Sequence, residues 1–381
     1  MIIILAGSIG RFPVGGHAWV EMQYLLGLRA LGHEVFYLED CGEGSWVYNW
    51  ESEEITTDLD YPTDYIRMCL EPIGFGDRWT YRAGDKAIGI PIDKFRSICS
   101  NADLFIVRNC RIDPWREDYN WPRRRVYIDS DPGFTQIHLA NGDRDFVTTV
   151  KHCDRLFTVG PRIGSHECPI PQLQRHWIPT VPPVSLPNWP VCDSPATHFT
   201  TIMQWKSRKE VSYDGVTYGN KNREFSKFSA LPGHTTQRFR IAVTRVPPQD
   251  VSQLSQQGWE VEIGWRASKT PWTYQQFIQK SRAEFAVAKH LYVQTRGGWF
   301  SDRSACYIAC GKPVLVQDTG QSDWLRTGEG ILTFRDLDEA LKGIESINSN
   351  YERHCRAARS LAEEYFATEQ VLPRLLQEAM N

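Results

Sequence analysis

The first 40 residues alternate between short apolar runs and one amphipathic segment. MIIILAGS is apolar, the loop GRFPVGG follows it, and the next segment is HAWVEMQYLLGLRALGHEV. Its apolar side chains at Trp19, Met22, Leu25, Leu26 and Leu31 have the spacing of one helix face. Gly32 is expected to end that helix, and EVFYLED is expected to be the next strand. A strand, a glycine loop, a helix and a second strand are typical of the start of a doubly wound α/β domain.

Apolar runs later in the chain predict two such domains. Further strands are expected at 102–109, 124–131 and 154–160, followed by the proline-rich segment WIPTVPPVSLPNWPV. After it the alternation of strands and helices resumes, and a long helical segment closes the chain. We therefore expect an α/β protein with two Rossmann-like domains facing each other across a cleft, and a C-terminal helix that crosses back to the first domain.

The predicted boundaries follow these changes in composition. Residues 1–180 form the first domain, 181–194 a proline-rich linker, 195–355 the second domain, and 356–381 the C-terminal helix. Ligands of such folds bind in the crevice at the carboxyl ends of the strands, so the cleft is the expected site.

Charge and cysteine content narrow the class of protein. The 381 residues carry 43 Lys and Arg against 46 Asp and Glu, a net charge of −3, which predicts no nucleic-acid partner. No apolar run approaches the roughly 20 residues that span a bilayer, so no membrane span is expected. The ten cysteines include no C-x-x-C pair, and MIIILAG lacks a charged leader, so a cytoplasmic protein with free thiols is expected. GSIGRF departs from the G-x-G-x-x-G spacing, which argues against a nicotinamide cofactor.

The stretch RGGWFSDRSACYIACGKPVLVQDTG, residues 296–320, has more polar groups at a helix start than a cap requires. With a strand expected at 285–293, Ser301 or Asp302 can cap a helix that runs to about Cys310. Free N–H groups at the start of that helix would bind an anion, and Arg296 and Arg303 would pair with phosphate oxygens. An ordinary capped helix with solvent-exposed arginines explains the residues equally well.

Two segments resemble glycosyltransferases of the GT-B fold. ACGKPVLVQDTG and GEGILTFRDLDEALKGIESI are similar to their donor-binding segment, and PVGGHAWVEMQYLLGLRALGHEV is similar to their first loop and helix. The resemblance covers residues 1–40 and about 280–345. It implies an enzyme that moves a sugar from a nucleotide-diphosphate sugar to an acceptor. The aromatic-rich composition of residues 44–121 separately predicts a small-molecule acceptor. The nucleotide sugar is a substrate, so no cofactor and no metal are implied.

The resemblance also assigns residues to the donor. The diphosphate is expected on the 299–304 turn, and the following loop is expected to approach the sugar hydroxyls. The donor-binding residues are then Lys289, Arg296, Ser301, Asp302, Arg303, Ser304, Asp318, Thr319 and Gly320. Many retaining members carry two glutamates before the Gly-Lys-Pro turn, but Gly298 and Cys306 occupy those positions here. Asp302 is the nearest acidic substitute, and this departure favours an inverting reaction.

His17 is the expected catalytic base. It follows Gly15 and Gly16 at the start of the first helix, where the helix dipole favours the neutral imidazole. Inverting members have a histidine base in this loop, although a histidine that only caps or positions is an equal alternative. Gly15, Gly16 and Trp19 are the expected acceptor contacts. Trp46, Trp50, Trp79 and Trp115 are expected to shape the rest of that pocket.

Other polar residues have two interpretations. Asp131 at a strand end would contact acceptor hydroxyls or orient His17. Asp129 and Asp131 together also resemble a metal-binding motif, but that motif normally continues into an apolar strand, whereas PGFTQ follows here. Lys289 would reach a phosphate or pair with Glu284. In residues 213–225, Lys221 and Glu224 would border the donor pocket or belong to a solvated hairpin.

Two other functions remain open from the sequence. An epimerase acting on a sugar nucleotide would use the same two domains and donor pocket without an acceptor. A non-catalytic subunit that binds a sugar nucleotide is the other, since the glutamate pair is missing. The sequence also leaves a homodimer open.

Overall fold

The first half of the chain is built on an eight-stranded sheet. The computed structural model describes residues 1–44, 46–52, 54–192, 196–206 and 209–381. The strands of the first half are β1 (Ile2–Ala6), β2 (Glu34–Asp40), β3 (Val47–Asn49), β4 (Glu54–Thr56), β5 (Trp79–Ala83), β6 (Lys86–Gly89), β7 (Leu104–Arg108), β8 (Arg124–Asp129), β9 (Arg155–Thr158) and β10 (Trp177–Pro179). The sheet order is β10-β9-β8-β7-β1-β2-β5-β6, and β3 and β4 form a separate hairpin. All pairs in the sheet are parallel except β5 with β6.

Helices connect these parallel strands and cover the sheet. They are α1 (Gly15–Ala30), α2 (Asp60–Leu70), α3 (Ile92–Asn101), α4 (Phe134–Ala140) and α5 (Arg144–Lys151). The central strand β1 is apolar and almost entirely buried, as expected for a parallel strand with both faces covered. The first helix ends beside Gly32, whose φ of 82° is in the left-handed region that favours glycine.

The second half repeats the architecture with six parallel strands. Its strands are β11 (His198–Gln204), β12 (Val211–Tyr213), β13 (Val216–Tyr218), β14 (Arg238–Thr244), β15 (Trp259–Ile263), β16 (Ala283–Ala286), β17 (Val314–Gln317) and β18 (Ile331–Phe334). The sheet order is β15-β14-β11-β16-β17-β18, and β12 and β13 form a hairpin. The helices are α6 (Lys221–Phe225), α7 (Pro248–Gln256), α8 (Gly264–Ala267), α9 (Pro271–Gln279), α10 (His290–Thr295), α11 (Asp302–Ala309), α12 (Leu337–Ser349), α13 (Tyr351–Leu361) and α14 (Thr368–Met380).

The predicted fold of two α/β units and a returning C-terminal helix is confirmed. After a π-helical turn at Ala362–Phe366, α14 packs on α1 of the first half. The contact is close: a Cβ added at Gly27 would lie 2.5 Å from side-chain atoms of Leu372 and Thr368. In the part of the chain that the structure describes, the helices are too short or too polar to cross a bilayer.

The strand expected at 285–293 is wrong in its second half. β16 ends at Ala286 and α10 begins at His290, with Lys289 at the N-cap. A short, fully buried apolar run has no periodicity that separates a strand from a buried helix, so the pattern misplaced this boundary. Lys289 therefore lies in a loop at the carboxyl edge of the second sheet.

The first turn of α1 connects the two halves. Gly15 N donates to Ser268 O (2.6 Å) and Gly16 N to Ser268 Oγ (3.1 Å), so a residue of the second half satisfies amides that a helix start leaves unpaired. A Cβ at Gly15 would overlap the carbonyl of Thr270. The glycines therefore allow the helix to dock directly against backbone.

Replacing Gly15 with alanine should disturb this docking. The added methyl group must displace the Thr270 carbonyl, so we expect a loss of about 1–3 kcal/mol in the free energy of unfolding and a larger radius of gyration. Urea unfolding and small-angle X-ray scattering measure the two effects. Gly233→Ala is the matched control, because a Cβ there meets nothing within 4 Å. Equal behaviour of the two variants would contradict the docking role of Gly15.

Candidate active site

A cavity of about 960 Å³ lies between the two sheets. The first half contributes the loop after β1, the start of α1 and the carboxyl ends of β7 and β8. The second half contributes the ends of β11 and β14 and the start of α11. Of the residues predicted from the sequence, Gly16, His17, Asp131, Lys289, Ser301, Asp302 and Arg303 line it. The cavity thus brings the predicted base and part of the predicted donor segment together.

His17 lies at the first turn of α1 and faces this cavity. Its Nε2 is 2.9 Å from Ser8 Oγ, and the ring of Phe12 meets the imidazole edge-to-face with ring centroids 5.3 Å apart. Burial, followed by the positive charge of Arg108, lowers the pKa of His17 to about 3, although Asp131 opposes the shift. The imidazole is therefore neutral at pH 7 and able to accept a proton.

A buried ion pair lies directly behind His17. Arg108 Nη2 is 2.6 Å from Glu21 Oε1, and both side chains are almost completely buried. Arg108 Nη1 also donates to Ser130 Oγ at 2.9 Å, which joins the ends of β7 and β8. The sequence analysis missed this pair, because its two residues are 87 positions apart.

Asp131 joins the two halves of the chain across the cavity. Its Oδ1 accepts from Lys289 Nζ (2.7 Å) and Tyr292 Oη (2.5 Å), and its Oδ2 accepts from Asn109 Nδ2 (3.3 Å). Lys289 thus pairs with Asp131, and the suggested pair of Lys289 with Glu284 is wrong. The short loop after β16 points the lysine out of the sheet, whereas Glu284 lies within the strand.

The metal interpretation of Asp129 is not supported by its contacts. Its carboxylate accepts from the side chains of Thr135, Gln136 and Thr158 at 2.6–2.9 Å, and also from the backbone of Asp131. This carboxylate ties the loop after β8 to the neighbouring strand β9. Among the described residues, no three His, Cys, Asp or Glu side chains are placed to hold one ion.

Arg303 is oriented by the second sheet. Its Nε pairs with Glu284, and its Nη1 donates to Ile202 O at 2.7 Å. Two of its three nitrogens are therefore engaged. Nη2 is buried and has no hydrogen-bond partner among the described residues, so the contact of Arg303 with a phosphate stays a prediction.

The start of α11 is partly an ordinary cap. Ser301 Oγ accepts from Arg303 N at 3.2 Å. Asp302 faces the cavity, and burial raises the pKa of its carboxyl. Ser304 is fully buried, and its Oγ has no partner. The turn therefore presents Ser301 and Asp302 to the cavity, whereas Ser304 points into the protein.

Several predicted donor contacts lie elsewhere. Arg296 pairs with Asp318 at 2.9 Å, and Asp318, Thr319 and Gly320 are buried. Thr319 Oγ1 donates to Trp299 O, and Gly320 N donates to Asp318 Oδ1. These residues do not belong to the described lining of the cavity. They hold the loop of 296–300 in place, so the structure gives them a supporting position, and their direct contact with a donor sugar stays a prediction.

The predicted acceptor contacts are corrected in the same way. Trp19 is 1% exposed, donates from Nε1 to Pro271 O at 2.7 Å and packs against Trp189 and Trp272. Together with Gly15 it forms the contact between the two halves. Gly16 touches the cavity, but its neighbour is the ring of Tyr274. Glycine and tryptophan suit a close interface as well as a ligand, and the sequence could not distinguish the two.

The four tryptophans expected to shape the acceptor pocket fall into two groups, two in the cavity lining and two in packing contacts. Trp46 and Trp50 line the cavity, and Trp46 is 52% exposed. Trp79 is buried in the core, and Trp115 stacks on His152. The structure therefore supports the first two as lining residues and assigns the other two to packing.

Lys221 is a cavity residue whose role the sequence analysis underestimated. It begins α6, just after the β12–β13 hairpin, and its side chain is buried. Burial, followed by the nearby charges of Arg303 and Lys289, lowers its pKa well below the usual value. Within the described residues, Nζ has neither a hydrogen bond nor an ion pair. A lysine beside asparagines in a polar loop gave no sign of burial, which only the packing of the second half produces.

Two parallel-sheet domains that meet across a cavity holding these groups define the GT-B class of glycosyltransferases. Residues 225–375 match the family model described as glycosyl transferase-like. The predicted resemblance to glycosyltransferases of the GT-B fold is confirmed at this level.

Solved structures share the fold over nearly the whole chain. An alpha-glucosyltransferase in complex with UDP is 10% identical, with a TM-score of 0.60 and coverage of 100% of this chain and 99% of that one. HepE of Anabaena in complex with UDP and glucose is 11% identical, with a TM-score of 0.60 and 99% of both chains covered. Sucrose-phosphate synthase of Thermosynechococcus elongatus is 12% identical, with a TM-score of 0.55 and coverage of 99% and 98%. No curated protein sequence matches the chain.

The exclusion of nucleic acid as a partner is wrong. A similar structure, with a TM-score of 0.61 and 10% identity, is an alpha-glucosyltransferase in complex with UDP-glucose and DNA. The prediction rested on the net charge of the whole chain, which averages over local differences. The described residues that line the cavity include eight Lys and Arg but five Asp and Glu. The predicted small-molecule acceptor has no support from these similarities.

The low pKa of His17 makes the stability of the fold depend on pH. In the unfolded chain His17 binds a proton below about pH 6.5, whereas in the folded protein it stays neutral down to about pH 3. The unfolded state therefore binds more protons in this pH range, and the free energy of unfolding falls as the pH drops through it. His17→Gln should reduce the loss between pH 7.0 and 4.5 by about 1–2 kcal/mol, measured by urea unfolding. The exposed His166, replaced by Gln, is the control and should behave like the wild type. An unchanged pH dependence in His17→Gln would contradict the neutral state.

Proposed function

We propose that the protein transfers a sugar from a uridine-diphosphate sugar to an acceptor hydroxyl, with His17 as the proton acceptor and without a metal ion. The observation that carries the proposal is the buried side chain of Lys221 in the cavity, whose amine has no hydrogen bond or ion pair among the described residues. Burying an amine without a partner is costly, and the protein retains it where an anion would compensate the charge.

The surroundings of Lys221 fit a diphosphate better than a single carboxylate. Arg303 and Lys289 lie near enough to depress its pKa, and Arg303 keeps one unpaired buried nitrogen. The start of α11 contributes its dipole at Ser301 and Asp302. Several cationic groups converging on one point would stabilise the charge that develops on a leaving diphosphate.

Uridine is the nucleotide to expect first. Among proteins with this fold, alpha-glucosyltransferase and HepE are found in complexes with UDP. The ends of β11 and β14, at Gln204 and Thr244, line the cavity beside the proposed phosphate site. This is the carboxyl edge of a parallel sheet, where nucleotides bind in doubly wound folds.

The proposed reaction is a single displacement. The acceptor oxygen forms a bond to the anomeric carbon, the bond from that carbon to the diphosphate oxygen breaks, and its electron pair leaves with UDP. The acceptor proton passes to His17. The weak basicity of His17 would increase once the diphosphate is bound, because a nearby negative charge favours the imidazolium ion.

Lys221→Met should weaken the binding of UDP without lowering the stability of the free protein. Removing a buried, unpaired amine should leave the free protein as stable or more stable, whereas the dissociation constant for UDP should rise about 10- to 100-fold. Calorimetric titration with UDP, in EDTA and in Mg²⁺, gives the affinity, and thermal unfolding gives the stability.

The control for this experiment is Lys342→Met, which removes an exposed amine. UDP binding that is unchanged in Lys221→Met would remove the phosphate site from the proposal. A wild-type protein that binds none of the common nucleoside diphosphates would overturn the donor assignment altogether.

The stereochemistry of the product tests His17. With an α-linked UDP-sugar the displacement should give a β-linked product by NMR, and His17→Gln should lower kcat about 100- to 10,000-fold with little change in donor affinity. The acceptor panel includes duplex DNA. An α-linked product would remove His17 as the base but keep the transfer reaction. Donor conversion without any acceptor would favour the epimerase, and tight binding without turnover the non-catalytic subunit.

A further inference from the structure

The two ring nitrogens of His17 have different surroundings. Nε2 is 2.9 Å from Ser8 Oγ, in the loop between β1 and α1. Beyond Ser8, whose backbone also lies close enough to favour the protonated ring, His17 has no hydrogen-bond partner among the described residues. Since the imidazole lines the cavity, Nδ1 is the ring nitrogen that remains for a substrate.

Ser8 is itself held by the helix that carries His17. Its backbone N donates to Glu21 Oε1 at 3.3 Å. Glu21 is one helical turn after His17, so both residues lie on the same face of α1. A Cβ at Gly7 would be 2.5 Å from Glu21 Oε1, so a glycine is required for the loop to approach the carboxylate.

Arg108 fixes the carboxylate from the other side. It pairs with the same Oε1 atom of Glu21 at 2.6 Å and donates to Ser130 Oγ. Glu21 is fully buried and Arg108 is 3% exposed. Arg108, Glu21, Ser8 and His17 thus form a continuous series of contacts, in that order.

From these contacts we infer that His17 reacts through Nδ1, and that Ser8, supported by the Glu21–Arg108 pair, is a positioning residue that holds the opposite nitrogen as Nε2–H. The inference rests on the proposed role of His17 as proton acceptor. The tautomer decides that role: if Ser8 donated to Nε2, the ring proton would be on Nδ1 and no basic nitrogen would face the substrate.

The proton then has a defined route. The acceptor hydroxyl gives its proton to Nδ1 as the new bond to the sugar forms, and the ring becomes an imidazolium with both nitrogens protonated. Nε2–H keeps its bond to Ser8 Oγ throughout. Ser8 therefore fixes the orientation of the ring without exchanging a proton.

The test is the tautomer of His17 in the full chain labelled with ¹⁵N-histidine. Long-range ¹H–¹⁵N spectra at pH 7.5, assigned with His17→Gln, should show a protonated Nε2 and an unprotonated Nδ1, before and after addition of UDP. A protonated Nδ1 in the neutral ring overturns the inference, whether or not the chain transfers sugar. The expected tautomer without any sugar transfer would count against the proposed function alone.

Variants of Ser8 test the positioning role. Ser8→Ala should give mixed tautomers and lower kcat about 10- to 100-fold, with the KM for the donor changed less than twofold. Ser8→Thr keeps the hydroxyl and should restore the single tautomer and most of kcat. Ser165→Ala, an exposed serine, is the control. A single tautomer and full kcat in Ser8→Ala would overturn the role of Ser8. If that variant does not fold, the wild-type spectrum decides the question.

Discussion

The docking of the first turn of α1 on residues 268–271 is the contact on which the rest of the site depends. A helix start leaves amide groups unpaired, and here those of Gly15 and Gly16 find Ser268 in the other domain. One contact thereby completes a helix and fixes the orientation of two domains. His17 is the next residue, so the same contact sets the position of the proposed base relative to the cavity residues of the second domain.

Ion pairing separates four cationic residues of the cavity into two groups. Arg108, Lys289 and Arg303 each have a carboxylate partner, and these pairs hold strand ends and domains in place. Lys221 has no such partner among the described residues. Buried pairs contribute geometry more than net stability, whereas a buried charge without a partner is a cost that a ligand can offset. The cations that hold the structure are therefore distinguished from Lys221, the proposed ligand-binding cation, by their partners and not by their residue type.

The sequence predicted what depends on local patterns. The strand, loop and helix of residues 1–30, the helix after Ser301 and the Gly-Lys-Pro turn each follow from periodicity or from motif spacing. It could not predict pairs formed between distant segments. Lys289 meets Asp131 across 158 positions, and Trp19 reaches Pro271 across 252. These partners decide whether a polar or aromatic side chain serves a ligand or an interface. Arg296 and Trp19 lie outside the cavity lining for this reason, and the burial of Lys221 was underestimated.

The chain passes between the domains twice, and the two passages touch each other. Val184 N donates to Phe366 O at 2.7 Å and Thr368 N to Val184 O at 3.1 Å, so the first passage and the last run side by side. Because the two connections are joined at one place, a change in the angle between the domains would turn about that place. Ser8, His17 and Glu21 lie in the first domain and Lys221 in the second. Such a change would therefore alter the distance between the proposed proton acceptor and the proposed phosphate site, while each would keep its own geometry.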